Sequence, residues 1–215
     1  MSYHVRLIAS TKPEDASMDM QELIAYCARV SNIKNQHNHL TAGKLLAFMK
    51  RENHWSPFEM ANLNIEVITT RDIARQILRH RFHFQEFSQR YALVDTDGIY
   101  REARLQDEKN RQSSIEIEDD DLMAQWKMMQ HNVWVKAQES YRWAIEQGIA
   151  KEVARAVLPE GMTPSRMYIN GTVRSWMHYC HVRQNMDTQK EHRLIAKACY
   201  DILISKVPAL EEVAL

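Results

Sequence analysis

The feature of this sequence that most constrains its fold is a long amphipathic segment in the middle of the chain. Between Leu122 and Gln147, apolar side chains recur at every third or fourth position, the spacing that aligns them along one face of an α-helix. Gly148 ends the pattern, and the acidic run 116–121 before it is predicted to be a solvated loop that gives the helix N-terminus its negative charge. The aligned side chains are Met123, Trp126, Met129, Val133, Ala137, Tyr141 and Ala144. The sequence therefore predicts one long helix over 122–147.

The rest of the chain is predicted to form shorter helices and a few strands. Over Ala61–Ile68 the apolar residues Leu63, Ile65 and Val67 alternate with polar ones, which predicts a strand with one buried face. A strand is also expected over 3–9 and a strand or hairpin arm over 98–105, with helices over 18–31, from 38–41 to about 52, and over 72–78, 151–158, 167–181 and 188–205. These elements predict an α+β fold: a single domain over 1–215 with a small, mostly antiparallel sheet flanked by helices.

Charge and glycine content restrict the classes of function. Lys and Arg together number 28, and so do Asp and Glu, so the chain lacks the basic excess of a bulk nucleic-acid binder. Any anion site must therefore be local. Neither of the common glycine-rich phosphate loops, GxGxxG or GxxxxGK[ST], occurs, so a bound nucleotide would be held by side chains.

The cysteines and the N-terminus bear on localisation. Cys27, Cys180 and Cys199 are scattered and form no CxxC pair, which predicts reduced thiols and no structural disulfide. The N-terminal segment is too short and too polar for the core of a signal peptide, and no window approaches the roughly 20 apolar residues that span a bilayer. We therefore expect a cytoplasmic protein.

Side chains suited to ligand binding are densest over residues 76–91, QILRHRFHFQEFSQRY. If the helix that begins near Asp72 continued through this run, Gln76, Arg79 and His80 would share one face and offer an amide, a guanidinium and an imidazole to one ligand. Arginine suits bidentate recognition of phosphate, and phenylalanine can wall a flat ring. The simpler alternative is a cationic helix end whose side chains satisfy its own carbonyl groups.

A second basic cluster lies in the C-terminal third of the chain. Arg174, His178 and His181 are spaced i, i+4 and i+7 and form a stripe on one helical face, with a further arginine just beyond it. An arginine close to an ionisable ring stabilises the anionic form of that ring. Two alternatives remain open. One is a surface stripe paired with carboxylates, and the other is the divalent metal site of a nucleotide hydrolase, formed by His178 and His181 with His192 or Glu191.

The first cluster also permits a non-enzymatic hypothesis. In a single-stranded nucleic-acid-binding domain, arginines would grip phosphates while aromatic rings stack on bases. The side chains concerned are Arg79, Arg81 and Arg90 for the phosphates and Phe82, Phe84 and Tyr91 for the bases. The balanced net charge argues against this function.

Taken together, these segments resemble the flavin-dependent thymidylate synthases over about residues 28–192. The family signature is an Arg-His-Arg triplet followed by a segment ending SxRY, which here are Arg79–Arg81 and Ser88–Tyr91. Six residues separate Arg81 from Ser88, one fewer than in the family, so the resemblance assigns no role to Phe82–Phe84. The other matches are His54–Glu59 to H-x-[TS]-P-F-E, Ala154–Pro159 to A-R-x-x-L-P, and Arg174–Met177 with Arg183 to the distal flavin and substrate helix.

The resemblance implies a flavoprotein methyltransferase of nucleotide biosynthesis. Its expected activity is the reductive methylation of dUMP to dTMP, with methylenetetrahydrofolate as carbon donor, NADPH as reductant and FAD as cofactor. Reduced flavin would supply the hydride, so no cysteine of the enzyme need attack the uracil. The resemblance also implies a homotetramer with active sites between subunits, and no nucleic-acid or membrane partner.

Individual roles follow from the family motifs. The residues implied for dUMP are Gln76, Arg79, Glu86, Phe87, Ser88, Gln89, Arg90, Arg155 and Arg183. The residues implied for FAD are Ser56, Arg79, His80, Arg81, Glu86, Thr172, Arg174 and His178. Many members have Asn where this chain has Thr172 and His178, and a histidine can still donate one hydrogen bond. His54 is implied as a gate for folate or flavin, and no metal is implied.

Arg183 is the expected catalytic residue. Its counterpart in the family lies beside the pyrimidine and favours the N3-deprotonated, more nucleophilic ring, because a cation there stabilises developing negative charge. Ser88 is expected to position the substrate.

Overall fold

The structure, a computed structural model, describes residues 3–211 of the chain, and helices alternate with short strands along it. The helices are α1 (Met20–Ala28), α2 (Ala42–Arg51), α3 (Arg71–Ile77), α4 (Asp120–Glu146), α5 (Lys151–Ala154), α6 (Val173–Arg183) and α7 (Lys190–Lys206). The strands are β1 (His4–Ser10), β2 (Asn62–Thr70), β3 (His83–Glu86), β4 (Arg104–Gln106), β5 (Ser114–Glu116) and β6 (Pro164–Thr172). Single 3-10 turns lie at Ile33–Asn35, His39–Thr41, Ser56–Glu59, Arg155–Val157 and Pro208–Leu210.

The main sheet positions the rest of the molecule. Its order is β1-β2-β6-β3, and every neighbouring pair is antiparallel. Ile65 of β2 lies opposite Ile169 of β6, and Val67 lies opposite Met167, so their side chains fill one buried face. The main hydrophobic core lies between this face and helices α1, α2, α6 and α7. The α+β class predicted from the sequence, with its small antiparallel sheet, is confirmed.

The opposite face of the sheet is polar, as the alternation in β2 predicts. Its centre is Glu66, whose side chain is buried between two arginines. Arg6 Nη2 lies 2.6 Å from Glu66 Oε2, and Arg166 Nε lies 3.4 Å from Glu66 Oε1. The arginines neutralise the carboxylate that the sheet buries.

The prediction of a helix over 167–181 is wrong for residues 167–172, which belong to strand β6. This strand pairs with β2 on one side and β3 on the other, so both sets of its backbone polar groups have partners. Met167 and Ile169 are buried while Arg166 and Tyr168 are exposed, the two-residue period of a strand. Pairing on both edges outweighs the local pattern, and helix α6 begins only at Val173.

A second correction concerns the expected element over 98–105. Only Arg104–Gln106 pairs in a ladder there, and its partner is β5 rather than the main sheet. The two strands form a small separate hairpin, which corresponds to the hairpin-arm alternative.

Helix α4 begins where the acidic run places it. The carboxylate of Asp119 accepts a hydrogen bond from the Leu122 backbone N–H at 2.9 Å, and two further aspartates lie in the first turn. Near its C-terminal end, Tyr141 and Ala144 pack into a small second core with Val94 and Leu158. The predicted long helix and the role of the acidic run as its N-terminal charge are confirmed.

The apolar stripe of α4 is buried only in part. Trp134 and Tyr141 are buried, whereas Met129 and Val133, which lie on the predicted stripe, are more than half exposed. Trp143, on another side of the helix, is 59% exposed. A chain that leaves this much apolar surface on one helix has a surface suited to burial against another protein.

All three cysteines are free thiols. Within residues 3–211, no helix combines the length and the apolar character needed to cross a membrane.

Candidate active site

A cleft of about 840 Å³ lies beside the N-terminal part of α6. Four segments meet there: the end of α2, the turn Ser56–Glu59, the turn that follows α3, and α6 itself. The lining residues are Lys50, Arg51, Asn53, Trp55, Glu59, Arg79, His80, Arg81, Arg174, Ser175, Met177, His178 and His181. Its volume is in the upper part of the range of about 300–1,000 Å³ that is usual for small-molecule and cofactor sites.

The Arg-His-Arg triplet lies in a turn, so the helix predicted to begin near Asp72 does not continue through it. Helix α3 ends at Ile77, and the backbone N–H of Phe82 bonds to the carbonyl oxygen of His80 before β3 begins at His83. Gln76 therefore does not share a helical face with Arg79 and His80. The chain must turn here because β3 has to reach the edge of the sheet beside β6.

Phe82, to which the family resemblance assigns no role, anchors this turn. Its ring centroid lies 4.3 Å from that of Trp176 and 5.6 Å from that of Tyr179, both on α6. A Cβ atom at Gly171 would lie 2.3 Å from the Phe82 ring, so only glycine fits beneath it. Phe82 thus fixes the turn that carries Arg79 and Arg81 relative to α6.

Glu59 joins the turn Ser56–Glu59 to the start of α6. Its Oε2 accepts a hydrogen bond from Thr172 Oγ1 at 2.6 Å, and its Oε1 accepts one from Arg174 Nη1 at 2.9 Å. The bond from Thr172, followed by the bond from Arg174 and its charge, outweighs burial and lowers the pKa of Glu59. Glu59 is not among the predicted site residues, although the matched motif contains it.

The cleft brings together most of the residues implied for FAD. Arg79, Arg81 and Arg174 place three guanidinium groups around it, and His80 and His178 complete the set within its walls. Ser56 and Thr172 are absent from the lining, although their neighbours Trp55 and Ser175 belong to it. Such a concentration of fixed cations suits a ligand with a diphosphate group.

Two implied residues lie away from this cleft. His54 is exposed, and its ring packs against Phe48 with a centroid distance of 5.9 Å. Glu86 is at the end of β3, where its Oε1 accepts a hydrogen bond from Ser165 Oγ at 2.6 Å and lies 3.6 Å from Arg71 Nη1.

Arg183 is held by His80 at the C-terminal end of α6. Its Nε donates a hydrogen bond to His80 Nε2 at 2.7 Å, so that nitrogen of the imidazole must be unprotonated. Burial, helped by the charges of Arg183, His178 and Arg79, lowers the pKa of His80 to about 4. The pair therefore consists of a neutral acceptor and a charged guanidinium near neutral pH.

Apart from Glu86 at the end of β3, the residues implied for dUMP form two groups. One group, Gln76, Arg79 and Arg183, lies around the end of α3 and α6. The other, Phe87, Ser88, Gln89, Arg90 and Arg155, lies beyond β3 and beside α5. Among the described residues, no hydrogen bond or ion pair joins one group to the other. Arg90 Nε of the second group, for example, lies 3.3 Å from Glu152 Oε2. A single copy of the chain thus leaves the two groups unconnected.

The alternative metal site lacks a third ligand. His178 and His181 are exposed on α6, whereas His192 is fully buried and its Nδ1 lies 3.2 Å from Gln76 Oε1. Glu191 is bound by Arg104 at 2.6 Å. Within residues 3–211 no three His, Cys, Asp or Glu side chains are grouped to hold a metal.

Two of the three rings that the nucleic-acid hypothesis requires for stacking on bases are partly buried in the protein. Phe82 and Phe84 pack against the main core, and only Tyr91 is widely exposed. A ring that packs into the core has no face left for a base.

Comparison with known proteins gives one consistent result. The family model described as thymidylate synthase complementing protein matches residues 10–209. A probable flavin-dependent thymidylate synthase from Paramecium bursaria Chlorella virus 1 is 46% identical over 207 residues, which is 95% of each chain. The flavin-dependent thymidylate synthase of Synechocystis is 47% identical over 211 residues, or 96% of each chain.

The fold also matches solved structures. The structure of a UMP/dUMP methylase, PolB from Streptomyces cacaoi bound with 5-Br dUMP, has a TM-score of 0.84 with this chain at 24% sequence identity. The match covers 98% of this chain and 93% of that one. At this identity the likeness concerns the fold.

Proposed function

This chain belongs to the flavin-dependent thymidylate synthase family, and from that membership we propose that it converts dUMP to dTMP. The carbon donor would be methylenetetrahydrofolate, the reductant NADPH and the cofactor FAD. The observation that supports this most is the cleft in which Arg79 and Arg81 from one part of the chain meet Arg174 from another. In a chain without net charge and without a glycine-rich phosphate loop, this is where a dinucleotide can find fixed cations.

The fit of the cleft to FAD rests on its size and its charges. Four arginines line it, and the carboxylate of Glu59, which also lines it, is already bound by Thr172 and Arg174. Arg79, His80, Arg81, Arg174 and His178 would hold the cofactor from within the cleft, with Ser56 and Thr172 next to its walls. Glu86 lies away from this cleft and would contact the cofactor only in a site shared between subunits. When bound, the flavin supplies the redox chemistry and the hydride that the methylation requires.

Arg183 would act on the pyrimidine. A guanidinium beside the ring favours the N3-deprotonated form, because it stabilises the negative charge that develops there. His80 holds the guanidinium through Nε and, being a neutral acceptor, leaves the positive charge of Arg183 uncompensated. The remaining N–H groups of Arg183 stay available to the substrate.

The other dUMP residues would come from a second copy of the chain. Phe87, Ser88, Gln89, Arg90 and Arg155 lie apart from Arg183, so one subunit does not assemble the whole set. The exposed apolar side chains of α4, such as Met129, Val133 and Trp143, offer a surface through which copies can associate. We therefore propose a homotetramer with active sites shared between subunits, each subunit a single domain over 1–215, acting in the cytoplasm.

The visible spectrum of the purified protein tests this function. The protein is supplied with FAD, freed of excess cofactor, and titrated anaerobically with NADPH, with and without dUMP. We expect a bound flavin whose absorbance bleaches at a rate that dUMP changes, and dTMP once methylenetetrahydrofolate is added. A protein that retains no flavin, or that retains flavin without forming dTMP, would contradict the proposal.

A further inference from the structure

Two glutamine side chains connect α3 to α7 next to Arg183. Gln76 Nε2 donates a hydrogen bond to Gln189 Oε1 at 2.9 Å, and Gln189 Nε2 donates one to Glu191 Oε2 at 3.0 Å. At the other end, His192 Nδ1 lies 3.2 Å from Gln76 Oε1. We call Glu191, Gln189, Gln76 and His192, in this order, the amide relay.

The direction of every bond in the amide relay follows from Glu191. A carboxylate can only accept hydrogen bonds, so Gln189 must turn its NH₂ group towards it. Gln189 then presents its oxygen to Gln76, and that oxygen requires the NH₂ group of Gln76. The oxygen of Gln76 consequently faces His192, whose Nδ1 must carry the proton and donate.

Glu191 is kept ionised and fixed in place. Its side chain is 9% exposed, and its Oε1 accepts a hydrogen bond from Arg104 Nη2 at 2.6 Å. Burial alone would raise the pKa of Glu191, but a bond from its own backbone N–H and the charge of Arg104 lower it below the ordinary value. The acceptor that sets the direction of the amide relay is therefore permanent near neutral pH.

His192 closes the other end. It is fully buried, and burial together with the charge of Arg183 lowers its pKa to about 3. The oxygen end of Gln76 thus points into the core. Its nitrogen end points towards the half-buried Gln189, and one of the two N–H bonds on that nitrogen is left over for a ligand.

We propose that Glu191, acting through Gln189, is a positioning residue that makes Gln76 donate an N–H to the C4 carbonyl oxygen of the pyrimidine and so selects uracil over cytosine. This inference rests on the proposed function, in which Gln76 contacts dUMP. Uracil and cytosine share the C2 carbonyl group but differ at C4, where uracil has an accepting oxygen and cytosine a donating amino group. A donor fixed at this position pairs with uracil and leaves two donors facing each other with cytosine.

The test compares dUMP with dCMP in binding, since the two nucleotides have the same phosphate and sugar. Dissociation constants are measured by calorimetry on the FAD-loaded full chain, for the unaltered protein and for Glu191→Gln. Because Arg104 can only donate, the amide introduced by Glu191→Gln keeps its oxygen on Arg104 and turns its NH₂ group to Gln189, so Gln189 and Gln76 are no longer held in their original orientation. We expect the unaltered protein to prefer dUMP about tenfold to a hundredfold, and Glu191→Gln to lose most of that preference.

A matched control separates polarity from charge. Glu102 belongs to the same ion-pair cluster, where it accepts from Arg104 Nη1 at 3.1 Å and lies 2.6 Å from Lys190 Nζ, but it does not touch the amide relay. Glu102→Gln removes the same charge and should keep the preference for dUMP. Loss of the preference in Glu102→Gln as well would overturn the inference.

The remaining outcomes are also decisive. If Glu191→Gln weakens both nucleotides equally, or changes neither, Glu191 does not set the polarity. If the unaltered protein binds both nucleotides equally, the selection is wrong while the proposed function stands. If it binds neither nucleotide, the proposed function itself fails.

A second variant covers the case in which Glu191→Gln does not fold, as judged by circular dichroism. Gln189→Leu interrupts the amide relay and leaves the Arg104–Glu191 pair intact, and it must show the same loss of preference.

Discussion

The two groups of proposed dUMP residues differ in how the chain holds them. In the first group, Gln76 bonds to Gln189 and His192, and Arg183 bonds to His80, so two of the three side chains are held by neighbours, whereas Arg79 is exposed. In the second group, Arg90 forms an ion pair with Glu152, and more than half of each of these two side chains is exposed. Gln89 of the second group is buried, yet its Nε2 has no hydrogen-bond partner in the described part of the chain.

The difference indicates which parts of the site a single subunit completes. Side chains that already have hydrogen-bond partners lose little freedom when a ligand binds, so Gln76 and Arg183 of the first group are preorganised. A buried amide without a partner is costly, and the second group retains such a group. The second group is therefore the part that a neighbouring subunit and the substrate would complete.

The largest expected effect comes from removing the charge in the first group. Arg183→Ala should retain flavin and lower kcat about a hundredfold to a thousandfold, because the developing charge on the pyrimidine loses its cation. Steady-state dTMP formation and the visible spectrum of the variant measure both quantities. Arg193→Ala is the control, since the Arg193 guanidinium donates to the Met186 carbonyl oxygen and lies in neither group. Turnover retained in Arg183→Ala would remove the catalytic assignment.

The next effect tests whether the two groups meet across subunits. Arg183→Ala and Arg90→Ala should each be nearly inactive, and mixed tetramers of the two should contain sites that combine both intact residues. With equal mixing and one contribution from each of two subunits, about a quarter of the sites are intact. Activity is measured after coexpression and purification through two different tags. A mixture no more active than its components would place both groups in the same subunit.

A smaller effect should follow from changing the anchor of the first group alone. Gly171→Ala places a Cβ atom against the Phe82 ring, and such overpacking should lower the free energy of unfolding by about 1–3 kcal/mol. Urea unfolding measures the change. Gly161→Ala is the matched control, because a Cβ atom there meets nothing within 4 Å. An unchanged midpoint for Gly171→Ala would mean that Phe82 does not fix the turn.

The smallest effect concerns pH. An unfolded histidine takes up a proton as the pH falls below its ordinary pKa of 6.5, whereas His192 in the folded chain stays neutral down to about 3. The unfolded state therefore binds more protons in this window, and stability falls as the pH falls. Between pH 7 and pH 5, His192 should account for a loss of about 1–2 kcal/mol in the free energy of unfolding.

The variant His192→Gln isolates this contribution. Glutamine can still donate to Gln76 but does not titrate, so the difference in unfolding free energy between pH 7 and pH 5 should shrink by that amount. His37→Gln, which changes an exposed imidazole, should leave the difference as it is. An equal pH dependence in His192→Gln and the unaltered protein would show that His192 is protonated in the folded chain.

Periodic segments of this fold could be predicted from the sequence, and segments set by pairing could not. Strand β2 and helix α4 carry regular patterns with periods of two and three to four, and both were predicted to within a few residues. Strand β6 was predicted as the start of a helix because its identity depends on two neighbouring strands distant in sequence. For the same reason the sequence does not show that the chain turns at the Arg-His-Arg triplet, which β3 requires.

The candidate site divides in the same way. The motifs identified the guanidinium groups of the cleft, because their residues are close in sequence within each segment. The partnership of Gln76 with Gln189 joins positions 113 residues apart, and no local pattern signals it. Gly171 carried a weak signal, since the chain has only 5 glycines and this one lies just before a predicted site residue.

The amide relay also has an evolutionary consequence. An amide that reverses at one position forces the next amide to reverse, so a substitution at Gln76, Gln189 or Glu191 changes what the other two positions tolerate. The three positions should therefore covary among relatives, with single replacements rare and compensated changes occurring as sets. This covariation would follow from one chemical fact, which is that a carboxylate accepts hydrogen bonds but cannot donate them.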